Sequence, residues 1–400
     1  MELVSLDTIR AARELLAGVI RQTPVEHSRV LHERYGGPVY LKCENLQRTG
    51  SFKIRGAYLR IHGLSDAERA RGVVAASAGN HAQGVALAAQ LLGADATVFM
   101  PAGAPLPKLA ATRNYGADVH LVSEGLEGAL AAAVEFAERT GAVFIHPFDH
   151  PDVVAGQGTV GLEILEQLPE VRTILVSTGG GGLVGGIAAA VKALRPDVRV
   201  VGVQADQAAA WPGSLAAGRP VRLASLNTMA DGIAVGLPGD VTYAHVAKLV
   251  DEVVTVGEES LSRALLLCLE RAKLVVEPAG VASVAAVLDF PGRFEAPVCA
   301  VLSGGNVDPL LLSRVIQHGM GAAGRHLSLR IVLPDRPGSL ATLLLRVGEL
   351  GANVIDVSHS RLGPSVAIGE VNVWLSLETR GAEHCARVVQ SLRTAFNVVQ

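Results

Sequence analysis

Between about residue 70 and residue 310 the chain repeats one pattern: a short, nearly unbroken apolar run, a loop rich in glycine or polar residues, then alanine and leucine at helical spacing. VVAAS (73–77) leads into HAQGVALAAQLLG, TVFMP into APLPKLAATRNYG, DVHLVS into LEGALAAAVEFAERTG, and TILVS into LVGGIAAAVKALRP. RVVGVQA and PVCAVLS follow further along. Runs without alternation are strands covered on both faces, and strands separated by helices pair in parallel. The pattern predicts an α/β fold with parallel sheets flanked by helices.

The pattern changes after SRVIQHGMGAAGRH (313–326), a Gly/Ala-rich stretch that reads as a linker. Beyond it, LSLRIVLP alternates as a strand does, and RPGSLATLLLRVGELG is a helix with Pro337 near its start and Gly351 at its end. NVIDVSHSR is a second strand; VAIGEVNVWLSLE is a third, with Val371, Val373, Leu375 and Leu377 on one face; GAEHCARVVQSLRTAF is a second helix. Room remains for a last short strand, giving a separate α+β unit of βαββαβ order.

Composition narrows the choice of partners. A chain of 400 residues, 49% hydrophobic and 18% charged, has enough apolar material for two or three domains. Its formal net charge of -3, with no basic run, argues against nucleic acid and anionic membrane surfaces and leaves small molecules. Cys43, Cys268, Cys299 and Cys385 form no CxxC and suggest neither a zinc site nor a disulfide framework. With no targeting segment or membrane-spanning run, the expected location is cytoplasmic.

Only six of the 35 basic residues are lysines, at 42, 53, 108, 192, 248 and 273. Arginine stays protonated and cannot act as an amine nucleophile, so each lysine carries extra weight. Lys53 lies in GSFKIRGA (50–57), where Ser51 suits a helix N-cap and Ile54, Ala57, Tyr58 and Ile61 follow at helical spacing. The first turn of a helix already presents positive charge and favours a neutral amine, a nucleophile able to form a Schiff base with a carbonyl cofactor. Taken alone, the same pattern also describes a solvated lysine on an amphipathic helix.

STGGGGLVGGIA (177–188) follows the strand TILVS and opens a helix. Its backbone N–H groups and the helix N-terminus make an anion site suited to phosphate. Residues 180–185 also spell GxGxxG, with Asp206 ending the next strand, as a dinucleotide site requires. The unit is mid-chain, however, and four successive glycines offer more donors than a pyrophosphate turn needs. Ser77, Ala78, Gly79, Asn80 and His81 lie at another strand-to-helix turn able to hold a carboxylate, where the Asn80 amide can bond a phenolic oxygen. Ser303 in AVLSGGN could meet a ring nitrogen. Ordinary turn chemistry accounts for either motif taken singly.

Lys53, SAGNH, GGGGL and SGGN in this order resemble the fold-type II pyridoxal-phosphate enzymes, specifically the threonine/serine dehydratase and serine racemase group. The resemblance spans roughly residues 20–320. It implies two open, mainly parallel sheets: a large cofactor-binding domain of residues 1–53 and 150–320, with a small domain inserted at 54–149. On this resemblance Lys53 is the catalytic residue and holds pyridoxal 5'-phosphate covalently, with Phe52 against the ring. Asn80 would bond the ring hydroxyl, Gly179, Gly180, Gly181, Gly182 and Leu183 the phosphate, and Ser303 the ring nitrogen. Ser77, Ala78, Gly79, Asn80 and His81 would take the substrate carboxylate. The implied reaction is dehydration and deamination of L-threonine to 2-oxobutanoate and ammonia, with L-serine a lesser substrate.

Departures from the group sharpen this. Racemases of the group carry a second serine where this chain has Ala78, so elimination is favoured over racemisation. Metal-binding relatives place carboxylates near Gln204, Ala208 and Ala210, so no metal is expected. The tail, 327–400 after a linker ending at 321–326, resembles an ACT domain through LPDRPGSLATLLLRVGELGANVIDVSHSR. That likeness implies an amino-acid effector, isoleucine or valine, held near Asp335, Pro337, Gly338, Ser339 and Leu340 in a homodimer or homotetramer, and a place in isoleucine biosynthesis. The alternatives are a lyase for serine or threo-3-hydroxyaspartate, a nucleotide-dependent oxidoreductase, and a catalytically idle amino-acid sensor.

Overall fold

A computed structural model describes residues 2–361 and 367–399 and divides the chain into two compact units, Met1–Pro309 and Leu310–Gln400. The first unit holds two sheets. One has six strands in the order Val25–His27, Val39–Lys42, Val298–Val301, Thr173–Ser177, Arg199–Ala205 and Glu252–Val256, all parallel except the first. The other has four parallel strands in the order Asp118–Val122, Ala96–Pro101, Val73–Ala76 and Val143–Phe144. Central strands such as Thr173–Ser177 and Val73–Ala76 are buried at every position, the outcome expected when helices cover both faces. Ile174, Val176, Val200 and Val301 form one core with Leu183, Val184 and Ile187 of the helix Gly182–Leu194.

Glycine brings three helices of this unit together, and this contact positions the site. The helix Lys53–His62 crosses Pro151–Gln167 so closely that a Cβ on Gly156 would lie 2.7 Å from the Arg55 carbonyl oxygen. Pro151–Gln167 in turn meets Gly182–Leu194, where a Cβ on Gly186 would lie 2.4 Å from the Val154 carbonyl oxygen. The helix that begins at Lys53 is thereby tied to the helix that begins at the glycine loop.

Two local expectations are corrected. Ser51 is not the N-cap: the helix is capped by Phe52, without a side-chain bond, while Ser51 is extended and pairs with Gly304. Arg55, two residues beyond Lys53, is fully buried between Glu44 and Glu163. The stretch read as a linker is mostly the helix Pro309–Ala322, since apolar side chains at helical spacing, including buried Val315, outweigh its glycines at about 1 kcal/mol each.

The second unit forms an antiparallel sheet in the order Asn353–Ser360, Glu370–Glu378, His326–Pro334 and Asn397–Val398. The third strand of the tail, expected from Val366, is Glu370–Glu378; Val366 itself lies outside the described residues. Val371, Val373, Leu375 and Leu377 pack with Leu343 and Val347 of the helix Ser339–Glu349 and Val388 and Leu392 of Ala382–Ala395. The element order after the first helix is βαββαβ. Among the described residues, no helix is long and apolar enough to cross a membrane.

Candidate active site

Lys53 is anchored by its neighbours before its own side chain is considered. The Phe52 N–H donates to the Ser303 carbonyl at 3.3 Å, and Ser51 bridges Gly304, so the start of the helix is stitched to the end of strand Val298–Val301. The Lys53 amine donates to the Pro147 carbonyl oxygen at 2.8 Å and stands 5.2 Å from the centre of the Phe52 ring. Withdrawal from water pushes the amine down to about 8, with Glu277 pulling the other way. Two histidines nearby stay neutral for the same reason: burial takes His81 down to about 3 and His146 to about 4, with the Lys53 charge adding to both.

The residue after Pro147 reaches the glycine loop. A Cβ on Gly180 would fall 2.3 Å from the Phe148 ring, and one on Gly182 would fall 3.1 Å from the Phe148 Cβ. Gly181, at φ 94°, is the N-cap of Gly182–Leu194 and has no side-chain cap, while Trp211 donates to the Gly179 carbonyl at 2.7 Å. Uncapped N–H groups in a turn that no side chain can enter make an anion cradle. Residues 147–148 thus join the Lys53 amine to that cradle.

Asn80 lies at the start of the helix Asn80–Leu92. Its Nδ2 donates to Glu277 Oε1, and its Oδ1 accepts from Asn306 at 2.8 Å. In the preceding turn Ser77 Oγ accepts from the Gly79 N–H at 3.1 Å, which leaves the later N–H groups of residues 77–81 for a ligand. His81 can join them only through its backbone, because its imidazole bonds the Ile145 carbonyl oxygen at 2.7 Å. Ser303 is buried beside Gly304, where any side chain would collide with Glu277.

Sequence reasoning missed Glu277, Phe148, Lys108 and Asp231. The one local signal for Glu277 was a carboxylate inside the apolar run LVVEPAG. Burial, opposed by Lys108, pushes it up to about 7, and its Oε2 has no hydrogen-bond partner. The fully buried Gln204 amide donates to the Ala208 carbonyl oxygen at 3.2 Å and accepts from the Trp211 N–H at 2.9 Å. Among the described residues no group of His, Cys, Asp or Glu is placed to hold a metal.

In the second unit, Asp335, Pro337, Gly338, Ser339 and Leu340 line one surface cavity of about 280 Å³ together with His359 and Arg361. Arg361 donates to Asp335 at 2.9 Å and holds its carboxyl below the usual range. Gly338, at φ 88°, caps the helix Ser339–Glu349 with no side-chain bond.

In the first unit, an amine leaning towards its neutral form, an anion cradle and an unpartnered buried carboxyl oxygen suit an aldehyde carrying a phosphate. Comparison with known proteins agrees. A family model described as pyridoxal-phosphate dependent enzyme matches residues 16–304. An L-threonine ammonia-lyase of Thermotoga maritima is 49% identical over 390 residues, covering 98% of this chain and 97% of the relative. One from Geobacter sulfurreducens is 47% identical, covering 96% of each. Among solved structures, the T.th. threonine deaminase superposes with a TM-score of 0.73 at 42% identity, covering 76% of this chain and 99% of the other. Maize serine racemase superposes at 0.74 and 37%, covering 80% and 99%.

Proposed function

The chain belongs to the pyridoxal-phosphate dependent enzymes, and from that premise we propose that it removes the α-proton and β-hydroxyl of L-threonine as water. The enamine released then hydrolyses to 2-oxobutanoate and ammonia. Pyridoxal phosphate is its cofactor, which displaces the dinucleotide reading of residues 180–185 and Asp206. The observation that carries the proposal is the short path from Lys53 through Pro147 and Phe148 to the glycine cradle.

When bound, pyridoxal phosphate supplies a carbonyl that condenses with amines and a conjugated ring that spreads the charge of a carbanion. Gly179 to Leu183 would hold its phosphate, Phe52 would lie along the ring, Asn80 would meet the ring hydroxyl and Ser303 the ring nitrogen. Lys53 would take the α-proton onto Nζ, a transfer helped by an amine that burial lowers to about 8. Ser303, a neutral hydroxyl donor, would hold the ring nitrogen without protonating it, chemistry that would favour prompt loss of the β-group. Ala78 offers no hydroxyl as a second base, which supports elimination over racemisation.

The pH dependence of cofactor uptake follows from Lys53. Its neutral fraction grows with pH until about 8. Cofactor-free protein should therefore take up pyridoxal phosphate about tenfold faster per pH unit gained below that point and level off above it. Absorbance during reconstitution at a series of pH values measures this; a rate that is flat below pH 8 contradicts it.

The remaining proposals are residues 54–149 as an inserted small lobe, L-serine as a lesser substrate, a cytoplasmic homodimer or homotetramer, and the tail as an ACT unit binding isoleucine or valine. The cavity beside Gly338 supports the last. Purified full-length protein given L-threonine, L-serine and threo-3-hydroxyaspartate, each with and without isoleucine or valine, tests these together. Most 2-oxo acid is expected from L-threonine, in an amount that changes with the effector. Turnover of hydroxyaspartate alone, or of none, rejects the substrate assignment.

A further inference from the structure

Lys108, on the helix Leu106–Asn114, is only 6% exposed. Its stem lies against the turn assigned to the substrate carboxylate: a Cβ on Gly79 would meet the lysine Cδ at 2.8 Å and Nζ at 3.2 Å. The ammonium bonds Asp231 Oδ2 at 2.8 Å and lies 4.0 Å from Glu277 Oε2. In sequence, Asp231 and Glu277 flank the strand Glu252–Val256 of the six-stranded sheet, whereas Gly79 and Lys108 flank Ala96–Pro101 of the four-stranded one. One side chain therefore links the carboxylate turn to the opposite sheet.

Its electrostatic setting points further. The helix Asn80–Leu92 starts beside this ammonium with no side-chain cap, so two electropositive features face one turn. An anion bound at the turn would be attracted by both. Asp231 and Glu277 offset the ammonium itself, Asn80 Nδ2 takes up Glu277 Oε1, and no side chain caps the N–H groups of the turn. An α-carboxylate supplies the charge this turn favours.

Resting on the reaction proposed above, we infer that Lys108 is a positioning and specificity-determining residue. It braces residues 77–81 and supplies the positive charge that makes this turn select an α-carboxylate. The test uses the full-length enzyme with cofactor. Lys108→Met should raise KM for L-threonine roughly 10- to 100-fold while kcat changes less than about threefold and the cofactor absorption band is retained. Lys108→Arg, which restores charge, should recover most of the lost affinity, and Lys108→Gln, which restores only length and polarity, should not. A brace without an electrostatic part would be repaired equally by both. Should Lys108→Met fail to fold, the Arg and Gln variants carry the comparison. An unchanged KM in Lys108→Met, or equal recovery by Arg and Gln, overturns the inference and leaves the reaction standing. A wild-type protein with no L-threonine turnover removes both.

Discussion

Replacing Lys53 with alanine should abolish turnover of L-threonine, by a factor of roughly 10³ to 10⁶, and remove the absorption band of bound cofactor. The size of the effect follows from the two tasks proposed for it, holding the cofactor and moving the α-proton, for which no other lysine is placed. Of the six lysines, Lys42 is locked onto Glu163 and Lys192 onto Asp251. Lys108 is held by Asp231, Lys273 donates to the Glu270 carbonyl oxygen, and Lys248 is exposed on the helix Asp240–Leu249. The variant should still fold. Alanine is the best helix former at the first position of Lys53–His62, and the wild-type side chain makes one hydrogen bond, to Pro147. Activity above about one per cent in a well-folded Lys53→Ala would contradict the assignment.

Arg55→Ala should cost about 3–5 kcal/mol of stability, which for a unit of this size lowers the thermal midpoint by on the order of 10 °C. Arg55 is wholly buried and donates to Glu44 at 2.9 and 2.8 Å, to Glu163 at 2.6 Å and to Thr159 at 3.0 Å. Lys42 completes the cluster with a 2.6 Å bond to Glu163, so two cations balance two carboxylates. Burial would raise the Glu44 carboxyl, but Arg55 overrides it and holds the group below its usual range. Alanine leaves Glu44 buried with only Thr23 in hydrogen-bond reach, and an uncompensated buried charge is the most costly outcome of breaking such a pair. The sign in pH follows: a carboxyl lowered in the folded state stabilises above its unfolded value and loses that contribution on acidification through the folded one. Calorimetry of the variant checks the claim; a midpoint within about 2 °C of wild type would refute it.

The sequence disclosed features that repeat with a short period. Ile54, Ala57 and Ile61 are buried as their spacing requires, and so are Val371, Val373, Leu375 and Leu377. Strand-to-helix turns were visible because glycine, serine and asparagine cluster where the backbone must turn and bind. Hidden features depended on partners remote in the chain. Arg55 and Lys53 are two residues apart and look alike as letters, yet Glu163, 108 positions away, decides that Arg55 is structural. Glu277 reaches Asn80 across 197 residues and Lys108 reaches Asp231 across 123, separations that no local pattern encodes. Ser51 misled because its preference for capping lost to backbone pairing with Gly304.

The central claim is a covalent bond between one lysine and the cofactor aldehyde. Reduction of the cofactor-loaded protein with borohydride, followed by proteolysis and mass spectrometry of the peptides, tests it directly. The phosphopyridoxyl mass is expected on the peptide containing Lys53 and on none of those carrying the other five lysines. Finding it on Lys108, or on no lysine, would contradict the account.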